Sequence, residues 1–135
     1  MDFDATTIRL FLHVLGASVW VGGQVVLGAL VPTLRALGDD APKRVARAFN
    51  RVAWPFFTLA VVTGIWNVME VDVGDRSTSY QTGLFLKLLI VAVSGVSAFL
   101  HTTATKKSAL AIWGALGAVS ALAALLFGAM LSTSL

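Results

Sequence analysis

The chain has no cysteine, which excludes disulfides, thiolate metal sites and cysteine nucleophiles. Charge is scarce as well. Asp, Glu, Lys and Arg make up 13% of 135 residues, about half the share usual in a soluble domain. Only two histidines occur, His13 and His101, and only three prolines, Pro32, Pro42 and Pro55. There is no phosphate-binding glycine loop, no acidic pair inside an apolar run and no nucleophile–base spacing, so no soluble-enzyme motif is present. The start, Met1-Asp2-Phe3-Asp4, is acidic where a signal peptide is basic, and no small-residue cleavage pattern follows. The first apolar stretch is therefore expected to be retained.

What the chain does have is apolar length. Hydrophobic residues reach 57% and the mean hydropathy is +0.83. Four stretches, 8–31, 53–71, 83–103 and 108–131, are each near the ~20 residues that cross a bilayer, leaving almost nothing for a water-soluble core. The pattern predicts an all-α integral membrane four-helix bundle, a single four-span domain over 1–135, multi-pass in the plasma membrane. A net charge of +3 and a pI of 9.8 fit membrane topology rather than nucleic acid, because the charges sit in short loops. Arg35, Lys43, Arg44, Arg47 and Arg51 crowd the first loop, and Lys106 and Lys107 the third. The positive-inside rule puts those loops in the cytoplasm and both termini outside.

Along the chain, Gly16, Ala17, Ser18, Gly22, Gly23 and Gly28 give the first span a small-residue face for close helix approach. Pro32 is expected to close it. Asp39 or Asp40 can cap the next helix, with Pro42 in its first turn. Lys43, Arg47 and Arg51 recur at i+4, a pattern that suits a cationic helix lying along anionic lipid headgroups and running into the second span. Pro55 should kink the junction with the second span. Trp54 and Trp66 bracket that span as an aromatic belt. The fourth span, with Gly114, Gly117, Ala121, Ala124 and Gly128, should pack tightly, and small-residue faces of this kind also permit a homo-oligomer.

Ionisable groups inside spans mark pathways or ligands. His13 lies roughly 8–10 Å below the outer boundary at ~1.5 Å per residue. Trp20 sits mid-span, so its indole N–H needs a partner in the bundle or beside a ligand. Lys87, Met69 and Met130 fall in the same outer third as His13. His101 lies fourteen residues past Lys87, roughly 21 Å deeper, which disfavours a haem held by both histidines. His101 then reads as an interfacial residue bonded locally or to lipid. Imidazole with thioether suits haem or Cu(I), although a lysine there can snorkel and methionines often only pack. Leu10-Phe11-Leu12-His13 and Leu84-Phe85-Leu86-Lys87 share a pattern at an offset of 74 residues, as a repeat of two hairpins would.

Leu12-His13, Trp20, Gly22-Gly23, Arg51, Pro55, Thr63-Gly64-Ile65-Trp66 and Leu84-Phe85-Leu86-Lys87-Leu88-Leu89 together resemble CopD-like membrane proteins and the related HemJ-type protoporphyrinogen oxidases. The likeness covers about Leu10 to His101. It implies His13 as a haem b ligand, Lys87 as a haem- or substrate-site residue, and a role in copper uptake or resistance on the CopD side. The second histidine after the first span of the HemJ type has no counterpart here, and His101 stands farther from Lys87 than the corresponding histidine does from its lysine. These departures bear on oxidase activity more than on haem binding. Three readings follow: haem b or a metal at His13, with Lys87 and Trp20 beside it; copper held by His13, Met69 and Met130; or a cofactor-free assembly subunit.

Overall fold

A computed structural model describes residues 1–134 as four α-helices and one 3₁₀ turn. The helices are α1 (Ala5–Leu37), α2 (Ala41–Met69), α3 (Thr78–Thr103) and α4 (Lys107–Thr133). All four are long and apolar enough to cross a membrane. The chain divides into two compact units, Met1–Val71 and the remainder from Asp72. Each unit is a helical hairpin, α1 with α2 and α3 with α4.

In the first hairpin, Asp4 opens α1: its side chain accepts the Thr7 N–H, which satisfies one of the donors a helix start leaves without an intrahelical partner. The 33 residues of α1 extend about 50 Å, well beyond a ~30 Å hydrocarbon layer. Contrary to expectation, Pro32 does not close the helix, which continues to Leu37. A proline removes one hydrogen bond, whereas stopping would free several backbone groups at once. The stop comes at Gly38, whose φ of 156° and ψ of 154° define a region essentially reserved for glycine.

Three residues connect α1 to α2, short enough to force antiparallel neighbours. Asp40 occupies the cap position of α2 but makes no side-chain cap bond, and Pro42 lies in the first turn. The basic segment runs into the second span as one helix: it is the first half of α2, continuous through Pro55, and Phe49 packs against Gly23 of α1. Lys43, Arg44, Arg47 and Arg51 remain exposed at this turn end.

The facing surfaces of α1 and α2 form a ladder. Arg9 meets Asn67, His13 meets Ala60, Gly16 meets Phe56 and Ala60, and Trp20 meets Trp54 and Phe57. At Gly16 the backbones come close: a Cβ there would lie 2.7 Å from the Phe56 carbonyl oxygen and 2.8 Å from the Ala60 nitrogen. Gly22 and Gly28, expected on the same face, have nothing within 4 Å. Trp54, expected in an interfacial belt, instead turns inward to Trp20, with ring centroids 5.1 Å apart.

The second hairpin begins with the 3₁₀ turn Val73–Asp75. The Gln81 amide donates to the Val73 and Arg76 carbonyls, tying that turn to α3. Ser77 caps α3 by accepting the Tyr80 N–H. Here too three residues join the helices. The ladder runs Gly83 to Leu131, Lys87 to Gly128, Ser94 to Gly117 and His101 to Leu110. His13 lies against Gly64 and Lys87 against Gly128, each a basic side chain on the first helix of a hairpin set against a glycine of the second.

Candidate functional site

His13 is held on α1 by two groups of α2. Its Nδ1 lies 2.9 Å from the Ala60 carbonyl oxygen and 3.2 Å from Thr63 Oγ1. The carbonyl can only accept. The buried Thr63 hydroxyl donates its own proton to the Leu59 carbonyl at 2.6 Å, so it too acts as an acceptor toward the ring. Both neighbours therefore require Nδ1 to carry a proton, and in the neutral imidazole the lone pair resides on Nε2. Gly64 makes the seat: a Cβ there would come within 3.1 Å of Cε1. A ring nitrogen donating to a backbone carbonyl is the usual support of a metal-ligating histidine, fixing both tautomer and ring direction.

One turn toward the chain terminus, Arg9 Nε donates to Asn67 Oδ1 at 2.7 Å. Its guanidinium stands 5.9 Å from the Trp66 ring centroid and pairs with Glu70 at 3.7 Å, the Arg9 side chain being 12% exposed and that of Glu70 54%. Two turns the other way along α1, Trp20 is 6% exposed, enclosed by Phe57 at 4.4 Å and Trp54. Seven residues correspond to ~700°, so Trp20 shares the His13 face and fills the hairpin below it. Met69 is the last residue of α2 and is 78% exposed. It is five residues past Gly64, ~140° around the helix, and does not face the His13 seat.

In the second hairpin, Lys87 lies along α4, where a Cβ on Gly128 would meet Nζ at 3.0 Å. Met130 is 54% exposed and borders an open cleft of about 400 Å³, whose walls include Ser77, Tyr80, Gly83, Phe127 and Leu131. His101 repeats the His13 arrangement. Its Nδ1 donates to the Leu110 carbonyl at 2.8 Å, and a Cβ on Gly114 would meet Cε1 at 3.0 Å. In both cases the accepting carbonyl belongs to the residue four before the glycine, so the same device appears once in each hairpin. His101 is thus bonded locally, across its own hairpin.

Sequence reasoning identified His13 and missed its support. Thr63 and Gly64 stand out only as part of a resemblance, Ala60 is one alanine among many, and Arg9, Asn67 and Glu70 belong to no motif. The cross-hairpin register that joins them is absent from any single helix's periodicity. Among the described residues, no three His, Cys, Asp or Glu side chains converge as a metal-holding group. Comparison with family models, curated proteins and solved structures gave no match.

Proposed function

We propose that this polytopic membrane protein, of CopD/HemJ-like kind, binds haem b through His13 near the outer leaflet. One observation carries the reading: the Nδ1–H of His13 is committed to the Ala60 carbonyl, which directs the Nε2 lone pair as an axial ligand requires. Gly64 and Thr63 hold the ring, and Trp20 packs the hairpin interior two turns away. Lys87 is a basic residue of the second hairpin, set against Gly128 of its own α4. Bound haem would supply a redox-active iron. The protein's own residues, Ala60, Thr63 and Gly64, fix the imidazole's tautomer and ring direction.

Copper is the second reading in the sequence. It draws less support, since Met69 ends α2 at 78% exposure and lies ~140° around the helix from Gly64. The exposed Lys43, Arg44, Arg47 and Arg51 suit contact with anionic headgroups on the cytoplasmic side.

The test is spectroscopic. The purified protein, titrated with ferric haem b in detergent, should develop a Soret band at one equivalent, and His13→Ala should weaken it at least tenfold. Equal titrations for the two proteins would remove His13 as ligand, and stoichiometric copper without a Soret band would favour the second reading.

A further inference from the structure

Arg9 is held more firmly than it is satisfied. With 12% of its side chain exposed, it has one hydrogen bond, from Nε to Asn67. A guanidinium carries five N–H donors. Nη1 reaches Glu70 only at 3.7 Å, beyond hydrogen-bond distance, and among the described residues Nη2 has no acceptor. Trp66 lies against the guanidinium face, so the group is oriented from one side by Asn67 and from another by an aromatic plane. The loose partner is Glu70, more than half exposed at the end of α2. A guanidinium needed only to pin two helices would be expected to close its fork on that carboxylate, because a bidentate pair is the stronger geometry.

We infer that Arg9 is an anion subsite one helical turn from His13, that it takes a carboxylate of the ligand His13 coordinates, and that Glu70 is the resident carboxylate displaced when that ligand arrives. The inference rests on the haem reading and deepens it by specifying the ligand's charged edge. Residues i and i+4 share one face of a helix, about 6 Å apart along the axis. A ligand as wide as a porphyrin spans that turn, its carboxylates toward Arg9. Exchanging a 3.7 Å contact with Glu70 for a two-pronged contact with the incoming carboxylate releases Glu70 to water and leaves the Asn67 bond intact. A phospholipid phosphate has the same chemistry as a carboxylate here, so the source of the anion must be separated by experiment.

The measurement is an absorbance titration of the full chain with ferric haem b and, separately, its dimethyl ester, which keeps the macrocycle and iron but has no free carboxylate. The protein is studied in maltoside detergent and in phospholipid nanodiscs. The unsubstituted protein is expected to bind the diacid more tightly than the ester. Arg9→Gln should lower diacid affinity about tenfold, as expected for one charge-assisted contact, and leave the ester unchanged. Glu70→Gln removes the competitor and should raise diacid affinity about two- to fivefold, the scale of an exposed ion pair, again without effect on the ester. Glu70→Gln alone decides the matter should Arg9→Gln not fold.

Equal effects of these substitutions on both porphyrins, or no effect on either, would overturn the subsite and leave the haem reading standing. A diacid preference present in maltoside but lost in nanodiscs would give Arg9 to a lipid phosphate and overturn the assignment. Absence of any His13-dependent Soret band with either porphyrin would overturn the haem reading and the subsite with it.

Discussion

Gly64 and His13 occupy one another's space: a single methyl on the glycine would stand 3.1 Å from the imidazole Cε1, closer than carbon atoms normally pack. The glycine is thus the counterpart of the histidine on the facing helix. Gly64→Ala should displace the ring by a few tenths of an ångström and lengthen the bond to Ala60, weakening haem affinity several-fold with little loss of fold. Gly64→Leu should abolish binding. Haem titration with a parallel helicity measurement checks both, and unchanged affinity in Gly64→Leu would contradict the seat.

Gly16 and Gly22, six residues apart, should respond with opposite sign. The Gly16 methyl would strike α2 backbone at 2.7 and 2.8 Å, which no rotamer change relieves. Gly16→Ala should cost about 1–3 kcal/mol. At Gly22 nothing lies within 4 Å, so alanine should be neutral or stabilise by up to about 1 kcal/mol through helix propensity. Unfolding in mixed micelles measures both, and a matching response at the two positions would contradict the register.

Trp20 closes the hairpin interior against Phe57 and Trp54. Trp20→Ala should destabilise the first hairpin by about 3–5 kcal/mol, and Trp20→Phe much less, since a ring remains to meet Phe57. The same unfolding assay reads these values, and a loss below about 1 kcal/mol for alanine would contradict the aromatic core.

Asp4 accepts the Thr7 N–H at 2.8 Å and the Thr7 hydroxyl at 2.9 Å, and the backbone bond first, then the hydroxyl, hold its carboxyl below the usual carboxylate range. A group whose folded pKa is depressed stabilises the fold when ionised. The first turn of α1 should therefore be intact above the ordinary value near 3.8 and fray as pH falls through the lowered one. Backbone carbon shifts of Thr7 across an acid titration report this, and Asp4→Asn, still a competent cap, should largely remove the dependence.

The spans were legible because ~20 apolar residues have few alternatives in a chain with so little charge. Helix ends were less so. Pro32 reads as a stop and is not one, since continuing past one missing bond costs less than opening a helix end, and Gly38 makes the stop instead. The basic stretch was legible as a helix entering the second span, because Lys43, Arg47 and Arg51 recur at i+4 and the apolar run follows without a break. At the site, an ionisable residue in an apolar run announces itself, so His13 was readable. Ala60, Gly64 and Asn67 were not, for they acquire meaning only once α1 and α2 are set in register, and a carbonyl acceptor has no signature in sequence at all.

The most direct measurement is chemical rescue. His13→Gly removes the imidazole and leaves the Gly64 and Ala60 seat, so ferric haem added to this variant should give a weak, shifted Soret band that millimolar free imidazole restores to the wild-type position. A band already identical to wild type in His13→Gly, and indifferent to imidazole, would contradict His13 as the haem ligand.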